Sequence, residues 1–261
     1  MSVSPPEVGA VRGASGEPTD ASRPGRLEEE QVQAMFDRIA GLYDRMNTIM
    51  TAGLHRAWRR RAADLAGVCP GDRVLDVATG TGDLALELAG RVAPGGEVVG
   101  IDFSERMLEL ARHKAAAGST PGVAIRFEAG NALALPFARD EFAAATVGFG
   151  ARNFADLERG LAEMARVVRA GGRVVVLEIT TPRKPPLSTF FELWFDRAVP
   201  LLGRVAGDAR AYDYLPNSVR RFPGTEELAA VMWRNGLREV RYVVTAGGII
   251  ALHVGVVRRD A

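Results

Sequence analysis

Between Arg73 and Thr180 the chain alternates between short aliphatic runs and segments of helical period. RVLDVAT (73–79) precedes DLALELAGRV, EVVGIDF (97–103) precedes SERMLELARHKAAA, and VAIRFEAG and FAAATVGFG (142–150) follow. DLERGLAEMARVVRA then leads into RVVVLEIT (173–180), with Gly171–Gly172 expected to end the helix. Strands separated by helices must run parallel through right-handed crossovers, because a tight turn reaches only an antiparallel neighbour. Near-continuous apolar strands suit a sheet covered on both faces. An α/β architecture with a doubly wound, mostly parallel sheet follows. At the far end, REVRYVVTAGGIIALHVGVV reads as two strands joined by Ala-Gly-Gly, so the sheet is expected to finish in a hairpin with one antiparallel strand. Five strands and this pair give a Rossmann-like sheet of seven.

The flanks carry less pattern. Residues 1–28 are rich in Pro, Gly, Ser and charge, the composition of a disordered tail. Residues 29–68 read as a helical cap, with Val32, Met35, Phe36, Ile39 and Tyr43 on one helix face. A second helix there sets Leu54, Trp58, Ala62 and Leu65 against Arg56, Arg59, Arg60 and Arg61. Those arginines read as a solvated face; the sharper reading is contact with anionic lipid. The main domain covers 69–261, with an insertion over about 181–223 that opens on the Pro-rich TPRKPP. Within it, Phe190, Phe191, Trp194 and Phe195 form an aromatic stretch, and AYDYLPNSVRRFP is neither a clear strand nor a clear helix.

Composition excludes several classes. A net charge of +1 over 261 residues makes no electrostatic case for nucleic acid. Cys69 is the single cysteine, and His55, His113 and His253 lie far apart, so neither a disulfide framework nor a metal-ligand spacing exists. His253, inside an apolar strand, reads as a buried structural histidine. No apolar run reaches the 18 or so residues of a membrane span, and a cytoplasmic location is expected, with contact at the inner face of the membrane left open.

Chemistry concentrates where strands end. In VLDVATGTGDLA the first strand meets Gly80-Thr81-Gly82 and a helix N-terminus, where the backbone can approach a ligand closely. Ala85 stands where a dinucleotide fingerprint has its third glycine, and Asp76 and Asp83 add charge that suits a cationic ligand better than a pyrophosphate. Asp102 ends the second strand, positioned to accept both hydroxyls of an adenosine ribose or, alternatively, to cap the following helix. Gly130-Asn131-Ala132 ends the third strand beside Leu133, Leu135, Pro136 and Phe137, a place to bind an adenine edge. The fourth strand ends in GFGARNF, which combines flexible backbone with a cation and an amide. An NAD-dependent oxidoreductase could share the first strand and Asp102, but Ala85, the acidic loop and the hairpin argue against it.

The glycine loop, Asp102 and the hairpin resemble those of class I S-adenosylmethionine-dependent methyltransferases. From about Gln33 to Val257 the chain is similar to one branch of them, the ubiquinone/menaquinone biosynthesis C-methyltransferases. The segments that carry the resemblance are FDRIAGLYDRMNTIMTAGLHRAWRR, LDVATGTGD, NALALPF, GFGARN, YDYLPNSVRRFP and TAGGIIALHVG. The resemblance implies S-adenosylmethionine as cofactor, with Thr81, Asp102, Asn131 and Ala132 at its binding positions beside Gly80 and Gly82. It adds Gly148, where the family often has a serine hydroxyl that glycine lacks. It implies methylation of a ring carbon of a prenylated hydroquinone, with demethylmenaquinol favoured over a ubiquinone-pathway benzoquinol or another small lipophilic acceptor. Arg152 and Asn153 would hold a quinol oxygen and stabilise developing phenolate charge; otherwise Arg152 makes a surface ion pair with Asp156. Tyr43 would relay a proton or serve as a core aromatic, and the aromatic stretch would cover a prenyl tail. A homodimer is left open.

Overall fold

The computed structural model of the chain describes residues 29–118, 120–182, 185, 187–193 and 209–259. The expected N-terminal tail, Trp194, Phe195 and the side chain of Phe190 lie outside the described residues. Two helices, α1 (Glu29–Met50) and α2 (His55–Ala66), precede β1 (Arg73–Val77). Then come α3 (Asp83–Val92), β2 (Glu97–Asp102), α4 (Glu105–Ala117), β3 (Ala124–Ala129), β4 (Phe142–Gly148), α5 (Leu157–Val167) and β5 (Val168–Ile179). After α6 (Leu187–Leu193), α7 (Ala209–Arg221) and α8 (Thr225–Arg234), the chain closes on β6 (Leu237–Thr245) and β7 (Ile250–Val257).

The seven strands form one sheet in the order β3-β2-β1-β4-β5-β7-β6. β1 to β5 pair in parallel, and β7 runs antiparallel to both β5 and β6. This is the class I S-adenosylmethionine-dependent methyltransferase fold. Strand alternation divides the core. Leu75 and Val77 of β1 and Val174 and Val176 of β5 face α5 and α8, packing on Leu161, Met164, Leu228 and Met232. Val74, Val175 and Leu177 face α2 and α3, against Ala62, Ala63, Leu84 and Leu88. Order reverses between β1 and β4, and ligands of open α/β sheets lodge at the carboxyl ends beside such a reversal.

Three expectations about local structure are corrected. α5 ends at Val167, before the glycines, because Val168 already pairs with Phe142; a bulge then restores register at Ala144↔Arg173. AYDYLPNSVRRFP is helical over most of its length, despite Pro216 within α7. Tyr214, Ser218 and Val219 supply a buried stripe at helical spacing, and Tyr214 and Val219 pack against Val32, Met35 and Phe191. That burial outweighs the hydrogen bond proline removes. α2 buries His55, Arg59, Ala62, Ala63 and Ala66, leaving Leu54 53% exposed. The inward face is thus rotated from the apolar one counted in the sequence. Arg59 sits inside rather than among the solvated arginines.

Candidate active site

The carboxyl ends of β1, β2, β3 and β4 enclose a pocket. Gly80, Thr81, Asp102, Asn131, Ala132, Gly148, Asn153 and Tyr43 all line it. Two sequence-derived candidates stand elsewhere. Gly82, at φ +82°, caps α3 from behind the loop, where an added Cβ would come within 2.9 Å of Phe127 Cζ. Its smallness serves packing. Arg152 lines a second cavity instead.

The polar floor of the pocket is deeply buried. Asp102 is 5% exposed; Oδ2 accepts the Gly80 N–H at 2.8 Å and Oδ1 the Ser104 N–H at 2.9 Å. Burial pushes its carboxyl up to about 6 against these hydrogen bonds. α4 is capped by Ser104, whose Oγ accepts from Met107 N–H, so Asp102 is not the side-chain cap. The backbone of Phe103 also stabilises the carboxylate, which still has acceptor capacity for a further donor. Asp76 accepts the hydroxyls of Thr79 and Thr146 at 2.7 and 2.6 Å, and burial also raises its carboxyl to about 6.

Cations temper the acidic loop. Lys114 Nζ lies 2.6 Å from Asp83 and 2.5 Å from Asp44, and it donates to Thr81 Oγ1 at 2.8 Å. Thr81 Oγ1 in turn donates to Asp44 Oδ1 at 2.7 Å. Arg59, 6% exposed, approaches Asp83 to 3.7 Å and stacks over the Phe149 ring. Burial raises the Asp83 carboxyl, but Arg59 and Lys114 outweigh it and hold the group below its usual value. Arg59 also bonds His55 Nδ1. A guanidinium only donates, so Nδ1 accepts and the ring proton resides on Nε2, bonded to Thr48 Oγ1 at 3.1 Å. Burial, then Arg59, lowers the His55 pKa and keeps the ring neutral.

The GFGARN segment turns between the two cavities. Phe149 has φ +62°, and at Gly150 a Cβ would fall 2.6 Å from the Cβ of Ala78, so the loops after β1 and β4 abut only because Gly150 has no side chain. Arg152 follows in a single helical turn. Its partner is Glu178 of β5, not Asp156: Nη1 lies 3.2 and 3.0 Å from the two carboxylate oxygens, and Arg152 N–H donates to the same group at 3.2 Å. Asp156 caps α5. The side chains of Arg152 and Glu178 are 7% and 2% exposed. Burial works against the guanidinium's charge, but Glu178, Tyr43 and Tyr214 more than offset it and raise its pKa. Arg152 Nε–H is buried and has no acceptor among the described residues. Tyr214 of α7 donates to Asn153 Oδ1 at 3.1 Å.

The second cavity, of about 580 Å³, is apolar. Met35, Ile39, Met46, Met50, Phe191 and Ile249 are among its walls, with Asn47, Thr51, His55, Arg152 and Tyr214 as polar members. Phe36, Tyr43 and Phe149 line both cavities and form the partition between them.

The ubiE/COQ5 methyltransferase family model matches residues 25–257. The chain belongs to that family. It is 48% identical over 222 residues to demethylmenaquinone methyltransferase of Thermus thermophilus, covering 85% of this chain and 99% of the relative. It is 44% identical over 232 residues to the enzyme of the same name from Desulfitobacterium hafniense, covering 88% and 91%. To the ubiquinone/menaquinone biosynthesis C-methyltransferase UbiE of Geobacter sulfurreducens it is 42% identical, covering 88% and 90%. Among solved structures, a S-adenosylmethionine-dependent methyltransferase of Thermotoga maritima, titled a possible histamine N-methyltransferase, shares the fold with TM-score 0.60 at 21% identity, covering 86% of this chain and 98% of that one. The chain is therefore a methyltransferase that uses S-adenosylmethionine.

Two side chains at the site escaped sequence reasoning. Glu178 is the single acid in the apolar run RVVVLEI, at the ligand-facing end of β5, and that isolation was the available signal. Arg59 carried a weaker one: it lies one helical turn from His55, on the side lined by Ala62, Ala63 and Ala66. Of the residues expected to pack near an adenine, Leu133 lines the pocket, whereas Leu135 and Phe137 belong to the core. His253 is buried on β7, with Nε2 donating to the Thr225 carbonyl, the structural role expected of it.

Proposed function

We propose that the chain methylates a ring carbon of a prenylated hydroquinone, with demethylmenaquinol as acceptor and menaquinol as product. The observation that carries this reading is the apolar 580 Å³ cavity, separated from the polar pocket by Tyr43, Phe36 and Phe149 and holding one buried arginine. Such a cavity suits a greasy acceptor with few polar atoms.

The polar pocket fits S-adenosylmethionine by its donor set. Asp102 has lone pairs for ribose hydroxyls, and Asn131, Ala132 and Leu133 border a slot for the adenine. Gly80, Thr81 and Gly148 let backbone approach the amino-acid end. We assign the carboxylate of that end to Arg59, the buried cation in this pocket. When bound, the cofactor supplies an electrophilic methyl group on a sulfonium.

The protein's part is to position the acceptor, exclude water and enrich the ring carbon in electrons. Arg152, held by Glu178 with a spare Nε–H, donates to a quinol oxygen and stabilises the phenolate that develops there. Asn153, fixed by Tyr214, orients the same end of the ring. Tyr43 stands in the partition, where its hydroxyl can pass on the phenolic proton. The ring carbon loses its hydrogen as a proton once the new carbon–carbon bond forms. Paired assays of purified protein with short-chain demethylmenaquinol and a benzoquinol, under reducing conditions and read by mass spectrometry, test the proposal. Methylation of the naphthoquinol is expected; transfer to the benzoquinol alone would overturn it.

A further inference from the structure

Arg59 reaches the polar pocket from α2 on a long side chain, which has rotamer freedom to lose before it can grip a ligand. Two of its neighbours hold it loosely. Asp83, at 3.7 Å, lies beyond hydrogen-bond reach, and Phe149 offers a ring face 5.4 Å from the guanidinium carbon. The directional contact is with His55, one helical turn earlier, whose Nδ1 accepts from Arg59 Nη1.

His55 is itself held at three points. Its backbone N–H donates to Thr51 Oγ1 at 3.4 Å. Thr48 Oγ1 donates its hydrogen to the Asp44 carbonyl at 2.9 Å, so at 3.1 Å it accepts the Nε2–H of the ring. Both ring contacts therefore require one neutral tautomer, protonated on Nε2 and open to Arg59 on Nδ1. The ring is buried, and it lines the apolar cavity rather than the polar pocket. The side chain that fixes the guanidinium thus stands outside the pocket that the guanidinium serves.

We propose that His55 is a positioning residue for the cofactor. It acts through Arg59, holding the guanidinium ready for the carboxylate of the amino-acid end. This role rests on the assignment of that carboxylate to Arg59 made above. A preordered donor binds more tightly, because its side chain is immobilised before the ligand arrives. The competing role, a brace between α1 and α2, would run through Nε2 and Thr48 instead.

The two ring nitrogens can be replaced separately. Asparagine places Oδ1 where histidine has Nδ1 and keeps an acceptor for Arg59. Glutamine places its amide where histidine has Nε2 and keeps a partner for Thr48. The test is calorimetry of the full chain with S-adenosylhomocysteine and with methylthioadenosine, which lacks the amino acid. His55→Gln should weaken S-adenosylhomocysteine about tenfold and leave methylthioadenosine unchanged. His55→Asn should recover most of that loss. His55→Gln combined with Arg59→Met should bind S-adenosylhomocysteine no worse than Arg59→Met alone, since His55 acts through that side chain. Wild-type affinity in His55→Gln, an asparagine variant as weak as the glutamine one, or equal loss of both ligands with a lowered melting temperature would overturn the proposal. Unchanged S-adenosylhomocysteine affinity in Arg59→Met would remove the carboxylate assignment and the role of His55 together. A loss in Arg59→Met with none in His55→Gln would remove the role of His55 alone.

Discussion

Replacing Arg152 changes two things at once, and the structure separates them. Arg152→Met removes the donor we assign to the quinol oxygen and leaves Glu178, 1% exposed, as a buried carboxylate without its counter-charge. Breaking a buried pair from one side costs about 3–5 kcal/mol, a large fraction of the roughly 5–15 kcal/mol that holds a domain folded. A loss of activity in the single variant would therefore be ambiguous. Arg152→Met combined with Glu178→Gln removes the orphan charge, and the glutamine carbonyl can still accept the Arg152-position or Ile179 backbone N–H that Glu178 accepts now. We expect urea denaturation to show most of the lost stability recovered in the double variant. Single-turnover methylation of short-chain demethylmenaquinol should not recover: losing one preorganised donor to a developing oxyanion costs about 10²–10³ in rate. Cofactor affinity, measured by calorimetry, should stay near the wild type in both. A double variant that regains its rate along with its stability would refute a catalytic role and leave Arg152 as a structural counter-ion. A matching fall in cofactor affinity would refute it equally.

Two further predictions address the cofactor pocket. Arg59→Met should weaken S-adenosylhomocysteine about tenfold or more, the loss of a charge-assisted hydrogen bond, and leave methylthioadenosine, which lacks the amino acid, unaffected; equal loss of both ligands in calorimetry would remove Arg59 from that subsite. Asp102 titrates at about 6 in the free protein, and ribose hydroxyls donate to its ionised form, so binding lowers that value, releases a proton near pH 6 and strengthens as pH rises, levelling above about pH 7. Enthalpies in buffers of different ionisation heat would detect the proton, and an Asp102→Ala variant that kept the same pH profile would exclude this residue as its source.

What could be read from the sequence was whatever depends on chain order and strand ends. Gly80, Asp102, Asn131 and Gly148 all follow apolar runs directly, and a parallel sheet gathers the carboxyl ends of its strands on one edge. Glu178 also ends a strand, yet its importance lies in a partner 26 residues away, and pairing across that interval is a tertiary fact. Arg59 was hidden by an assumption about charge. Counting only apolar side chains oriented α2 by Leu54 and Trp58, whereas the helix packs through alanines small enough to bring a long arginine over the glycine loop. Pro216 misled in the other direction, since a proline within a helix is costly in isolation but tolerable where Tyr214 and Val219 bury against α1 and α6.

The N-terminal helix joins these separate parts. Its polar side chains reach the sheet edge at three places: Gln33 donates to the Phe103 carbonyl at 2.6 Å, Asp37 accepts from Ser104 Oγ at 2.5 Å, and Asp44 accepts from Thr81. Two of these contacts flank Asp102, and the third touches the glycine loop. Between them stands Phe36, edge-on to Phe103 and to Tyr43 with ring centroids 6.1 Å apart in each case. One turn beyond Asp44, Thr48 bonds His55, and His55 orients Arg59. Polar contacts at the edge of the polar pocket thus help set Tyr43 between the two cavities. The Asp44–Lys114 pair is about one-third exposed on each side, and pairs of that kind contribute only about 0–1 kcal/mol. The firmer hold comes from Val32 and Met35, buried against Phe191, Tyr214 and Val219. α1 is thus anchored by apolar contacts, several of which also wall the apolar cavity, and it is aligned by polar contacts around the polar pocket. In the proposed reading, this division lets one helix set the distance between the cofactor and an apolar acceptor.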